Sequence, residues 1–182
     1  IIQLYSAFVQ GQDNPLPPLE IQFPDFAVWQ RGWLDGEELD RQLEFWGERL
    51  AHVPALNLPT DYARPALATQ NGDAVAIELS ETVTDRVVAF SQANGASTFM
   101  TMLAAFEVLL SRYSGQDDFA VGTPIANRNH QGIENIIGFF TNTLALRADL
   151  TRNPTFTQLL KATRRQTLEA FSNQDVPFEQ LV

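Results

Sequence analysis

The sequence predicts an α/β protein, a layered sheet with flanking helices, and three patterns carry that prediction. Between Thr143 and Leu150 the polar or small residues Thr143, Ala145, Arg147 and Asp149 alternate with Leu144, Leu146, Ala148 and Leu150, the period-2 pattern of a half-buried strand. From Thr98 to Tyr113 runs an almost wholly apolar helical stretch that ends at Gly115. Between and around these, helical and strand patterns alternate over 182 residues, with no internal repeat and no low-complexity region.

Taken in order, Gly11–Pro24 holds Pro15, Pro17, Pro18 and Pro24 and is expected to run extended or turning between helices. Asp35 is placed to cap a helix beginning at Gly36, with Glu37 and Glu38 in the favourable first turn. Leu39, Leu43, Trp46 and Leu50 then form one apolar stripe, which reads as core. Pro54–Gly72, with three prolines, reads as a long loop, and Ala74–Leu79 as a strand with Val75, Ile77 and Leu79 on one face. Ser80 is a cap for the next helix and Gly95 its stop.

The apolar helix from Thr98 includes Phe99, Met100, Met102, Leu103, Phe106, Val108, Leu109 and Leu110, so it must be covered on most sides. Phe119–Pro124 reads as a buried strand and Arg128–Glu134 as a loop. Gly138 with Phe139-Phe140 makes a tight apolar approach to the strand at Thr143. Asn153-Pro154 reads as a cap and first-turn proline opening a helix to about Phe171. Asp175–Val182 turns at Pro177 and re-enters a helix.

Composition bounds the function. The chain is 45% hydrophobic and 19% charged, enough for one domain or a large subdomain. Twenty-two acidic residues against twelve basic ones, a net charge of −10, argue against nucleic acid, whose binding rests on phosphate neutralisation. The absence of cysteine excludes disulfides, thiolate metal sites and a cysteine nucleophile within these residues. No apolar run is long enough to cross a bilayer and no secretory leader pattern stands at Ile1, so no membrane partner and a cytoplasmic location are expected.

Five segments resemble, in order, the signature segments of the condensation domains of nonribosomal peptide synthetases. They are Phe23–Gln30 (FPDFAVWQ), Leu58–Pro65 (LPTDYARP), Val121–Asn129 (VGTPIANRN), Ile137–Arg147 (IGFFTNTLALR) and Asn173–Val182 (NQDVPFEQLV). In the first, Phe23 and Phe26 stand where the family usually has tyrosines, so two phenol hydroxyls are lost. The resemblance implies a fold like chloramphenicol acetyltransferase, of which this chain is one half of a V-shaped pseudo-dimer around a tunnel. Residues 1–24 are then the end of a helix and a Pro-rich linker following the N-terminal half, and 25–182 the C-terminal half, truncated at both ends.

The implied activity is amide-bond formation. The amine of a carrier-bound aminoacyl group attacks a carrier-bound acyl or peptidyl thioester, and the tunnel holds the two tethered reactants in register. No cofactor is bound directly; the substrates ride on the phosphopantetheine of partner peptidyl carrier domains, and adjacent synthetase domains are the other partners. The family's active-site motif, H-H-x-x-x-D-G, is absent: the histidines are His52 and His130, far apart and in unrelated contexts. The motif is expected upstream of Ile1, which makes the chain a fragment that is inactive alone and leaves an apolar surface exposed where the other half belongs. Rival readings are another acyltransferase of the same superfamily, an epimerisation domain, or a degenerate, non-catalytic docking or scaffold domain.

Candidate site residues follow from the segments. Asp25 and Trp29 match the first, with Trp29 reading as packing before chemistry. Asn127 and Arg128 shape a loop at the tunnel floor. Asn142 either points its amide at substrate or satisfies local turn hydrogen bonds. Arg152, Lys161, Arg164 and Arg165, the last three spaced i, i+3, i+4, read first as a solvated helix face and second as a landing site for an acidic carrier domain or its phosphate. His130 reads as exposed, and no metal is expected.

Overall fold

The computed structural model describes residues 1–63, 65–67, 69, 71–130 and 132–181. Arg64 of the LPTDYARP segment and Val182 of the NQDVPFEQLV segment lie outside the described residues. The elements are α1 (Ile2–Val9), α2 (Phe23–Trp33), α3 (Gly36–Leu50), α4 (Glu81–Ala93), α5 (Thr98–Ser114), β1 (Asp118–Ile125), β2 (Asn142–Asp149) and α6 (Phe156–Phe171), followed by a 3-10 turn at Phe178–Gln180.

Local chemistry sets most of these boundaries. The Asp35 carboxylate accepts the Gly36 N–H at 2.8 Å and opens α3. Ser80 and Ser97 accept N–H groups of Val83 and Met100 to open α4 and α5. Gly115 closes α5 at φ +71°, a left-handed conformation that L side chains rarely adopt. Pro24 falls inside the first turn of α2 instead of before it, where its missing N–H costs nothing. At α6 the expected cap moves: Thr155 accepts from Gln158 N–H and the Gln158 side chain accepts from Thr155 N–H, a reciprocal box that Asn153-Pro154 cannot form.

β1 and β2 pair antiparallel, with Asp118 opposite Asp149 and Ile125 opposite Asn142. The core joins Trp46 of α3, Leu103 of α5, Leu144, Ala145 and Leu146 of β2, Ala170 of α6 and Val176, with Leu39, Leu43 and Leu50 packed on it. The α3 stripe is therefore core, as its spacing predicts. Loop residues Leu56 and Leu58 join Leu110, Phe119 and Ala148 in a neighbouring cluster. Gln116 holds that loop by accepting Asn57 N–H at 2.7 Å and donating to the Ala55 carbonyl at 3.0 Å.

Three expectations fail, each because coverage depends on what lies alongside. Ala74–Leu79 pairs with nothing among the described residues, and Val75 and Ile77 are 88% and 85% exposed. A strand pattern without a hydrogen-bonding neighbour is an extended segment. β1 is an edge strand, so only Phe119 is fully buried in it and Gly122 and Pro124 are exposed. Helix α5 is covered on one side only: Leu103, Ala104 and Leu110 are buried, while Phe99, Met102, Phe106, Leu109 and Tyr113, at i, i+3, i+7, i+10 and i+14, form an exposed apolar stripe. No single helix among the described residues is long and apolar enough to cross a membrane.

Candidate functional site

The five segments that resemble family signatures, distant in sequence, meet in pairs. FPDFAVWQ becomes α2, and its Phe23 and Phe26 pack with Ile133, Ile136 and Phe140 of the β1–β2 connection. Phe26 and Phe140 lie 4.7 Å apart between ring centroids, and Phe23 meets Phe140 edge-on at 5.2 Å. The absent tyrosine hydroxyls thus leave two rings embedded in an apolar cluster. Gly138 passes directly under Phe23: a Cβ there would sit 2.6 Å from Phe23 Cγ. We therefore expect Gly138→Ala to lose about 1–3 kcal/mol of stability in urea unfolding, and Phe23→Leu to return part of that loss in the double variant. Equal losses with and without Phe23 would refute the contact's role.

Asp25 caps α2: its carboxylate accepts Gln22 N–H at 2.8 Å. One turn further, Trp29 stacks on Trp33 at 5.6 Å with planes 11° apart, and His130 stands edge-on to both at 4.6 and 6.1 Å. His130 is thus half-buried against two indoles instead of exposed, because the loop folds back over α2. Arg128 lies 4.0 Å above the Phe140 ring and donates to the carbonyls of Ile133 and Glu134, and Asn127 turns the chain at φ +49°.

Asn142, the first residue of β2, spends its whole amide inside the chain. Its Nδ2 donates to the carbonyls of Gln174 and Val176, both at 2.8 Å, and its Oδ1 accepts N–H groups of Thr143 at 2.9 Å and Phe178 at 3.1 Å. It clamps IGFFTNTLALR to NQDVPFEQLV and has no donor left for a substrate. From the other side, Trp46 Nε1 donates to the Asn173 carbonyl at 2.7 Å, and Gln42, fully buried, exchanges hydrogen bonds with Asp175. Arg41 bridges Asn173 and Glu38, and its hydrogen bond, with that of Gln42, holds the Glu38 carboxyl down at about 2.

Sequence reading missed Gln42 and Arg147. A polar side chain one turn before Trp46 on an apolar stripe was the available signal for Gln42. Arg147 grips Asp118 through two hydrogen bonds of 2.8 and 2.7 Å and donates to the Arg49 and Ala51 carbonyls at the end of α3, so it ties the sheet to the helix that precedes the LPTDYARP loop.

The four basic residues differ in what they touch. Arg164 donates to the Gly95 carbonyl at 2.7 Å, while Arg165 lines a 350 Å³ cleft with Arg49, Arg147, Glu48 and Asp149 between α3, β2 and α6. Lys161 and Arg152 are exposed, Arg152 beyond the β2 end.

Comparison with known proteins places this geometry. The family model described as condensation domain matches residues 1–182. The chain belongs to the condensation-domain family. It is 52% identical over 181 residues to malpinin synthetase of Mortierella alpina, covering 99% of this chain and 2% of that protein. Among solved structures, the X-domain in its complex with OxyB from teicoplanin biosynthesis is similar at TM-score 0.88 and 32% identity, over 97% of this chain and 40% of that one. A holo four-domain nonribosomal peptide synthetase bound to AMP and glycine is similar at TM-score 0.85 and 26% identity, over all of this chain (100%) and 14% of that one. The condensation-domain chain thus corresponds to less than half of each relative, and its fold is that of the chloramphenicol acetyltransferase-like family predicted from the motifs.

Proposed function

We propose that this chain serves as the C-terminal half of a condensation domain in nonribosomal peptide biosynthesis, with residues 1–24 leading in from an N-terminal half. The observation that carries the reading is the match of the whole chain, residues 1–182, to the condensation-domain family within much larger synthetases. In this reading the full domain joins a carrier-bound aminoacyl amine to a carrier-bound acyl or peptidyl thioester. The reactants arrive on phosphopantetheine arms, so holding them in register supplies much of the rate advantage. The chain's own part is to build one wall: Phe23, Phe26 and Phe140 set α2 against the β1–β2 connection, Arg128 and Asn127 fix that loop, and Asn142 locks the two family segments together.

Proton handling falls to histidines of H-H-x-x-x-D-G, which residues 1–182 do not contain. The test offers loaded acyl- and aminoacyl-carrier proteins to the chain alone and to the chain joined to a histidine-bearing N-terminal half. Product thioester is expected only from the joined form, and only with the histidines intact. Condensation by residues 1–182 alone would overturn this assignment.

The likeness to an X-domain seen in complex with OxyB favours a second reading, a docking domain that recruits another protein without condensing anything. A joined form that carries the histidine motif and still makes no product would favour it.

A further inference from the structure

We infer that Asn71–Gly72 is a site of spontaneous deamidation, and that the fold withholds the same reaction from the chain's second Asn-Gly pair, Asn94–Gly95. This goes beyond the amide-forming role and does not rest on it. The sequence contains these two Asn-Gly pairs. A glycine after asparagine puts no Cβ beside its backbone nitrogen, so that nitrogen can reach the asparagine side chain.

The step needs water alone as co-reactant. The Gly72 N–H gives its proton to a base, the nitrogen attacks Asn71 Cγ, and the Cγ–Nδ2 bond breaks with ammonia leaving. One water then opens the five-membered succinimide at either of its carbonyls. One opening leaves an aspartyl residue; the other leaves an isoaspartyl residue, whose backbone runs through Cβ.

The two sites differ in what this step requires. Asn71 and Gly72 are exposed and belong to no helix or strand. Neither the Asn71 amide nor the Gly72 N–H makes a hydrogen bond among the described residues, and a Cβ at Gly72 would meet nothing within 4 Å. The nitrogen is free to lose its proton and the chain free to rotate into the attacking conformation. Asn94, by contrast, closes α4. Its Nδ2 donates to the Phe90 carbonyl at 2.9 Å, and the Gly95 N–H donates to the Gln92 carbonyl at 3.1 Å. Asn94 ψ is 7°, which turns the Gly95 nitrogen away from the side chain, and Arg164 holds the Gly95 carbonyl at 2.7 Å. Reaction there must first break two hydrogen bonds, which slows it roughly thirtyfold relative to Asn71.

Conversion at position 71 adds a negative charge to a chain already at −10. As isoaspartate it also lengthens the backbone by one carbon just ahead of the extended Ala74–Leu79, the lead-in to α4.

The test incubates the chain in mildly alkaline buffer, folded and in urea, and follows both asparagines by peptide mass spectrometry with fragmentation that separates aspartyl from isoaspartyl. In the folded chain Asn71 is expected to convert roughly thirtyfold faster than Asn94, giving both products; in urea the two rates converge. Gly72 has open space around it and no positive φ, so Gly72→Val is accommodated, and its branched side chain stops conversion at Asn71 while leaving Asn94 unchanged. No conversion at Asn71, equal rates in the folded chain, a difference that persists in urea, a purely aspartyl product, or an undiminished rate in Gly72→Val would each overturn the inference.

Discussion

Asn142→Ala is expected to destabilise the chain by about 3 kcal/mol, because four backbone groups lose their partner at once. The two carbonyls and the Phe178 N–H it serves belong to Gln174–Phe178, a segment with little regular structure of its own. Asn142→Asp separates the two halves of the clamp. A carboxylate still accepts from Thr143 and Phe178 but meets the Gln174 and Val176 carbonyls with no donor. It is expected to be at least as damaging as alanine at pH 7 and to recover partly at pH 4, where the acid is protonated and again donates one hydrogen bond. Urea unfolding at both pH values measures this, and amide exchange places it: faster exchange at Asp175 and Phe178 is expected before the rest of the fold loosens. A loss below about 1 kcal/mol, or uniform exchange, would show that the clamp is dispensable.

Stability is expected to fall as pH rises from 4.5 to above 7, because of Glu107. This carboxyl sits at the α5–α6 interface, 1% exposed, with the Thr163 hydroxyl donating to it at 2.9 Å. Burial pushes it up from 4.5 to about 7, and the Thr163 hydrogen bond opposes that only in part. Its folded value lies above its unfolded one, so the folded state holds more protons between the two. The neutral-acid contribution is therefore fully present below pH 4.5 and is lost as pH rises through about 7, a swing of about 3 kcal/mol.

Glu107→Gln keeps the acceptor for Thr163 and removes the titration. The variant should match the parent near pH 4.5 and exceed it above pH 7. Glu38 and Asp149, both held below their ordinary values, titrate in more acid solution and act in the opposite direction, so the difference between variant and parent isolates Glu107. Parallel stability curves for the two proteins from pH 5 to 8 would contradict the buried-carboxyl assignment.

Asn142 and Arg147 show how the family segments become architecture. Asn142 turns two motifs 30 or so residues apart into one unit, and Arg147 attaches that unit to the end of α3 through the Arg49 and Ala51 carbonyls. Since every hydrogen-bonding position of the Asn142 amide is occupied within the chain, its place in the motif is explained by positioning the loop beside β2. Contact with a reacting group is not required.

The sequence by itself determined what depends on near neighbours along the chain. Asp35, Ser80 and Gly115 fix helix ends through groups within a few residues, and the spacing of Leu39, Leu43, Trp46 and Leu50 fixes which side of α3 is buried. The order of the five motifs likewise pointed to the family without any geometry. Only the tertiary structure decided what depends on residues brought from afar: the edge-on packing of His130 against Trp29, the full occupancy of the Asn142 amide, and the different contacts of Arg164 and Arg165. It also decided that, among the described residues, Ala74–Leu79 stays unpaired and one side of α5 is exposed. Periodicity states which side chains share a face, but coverage and hydrogen-bond pairing belong to whatever packs against that face, and that partner is not written in the local pattern.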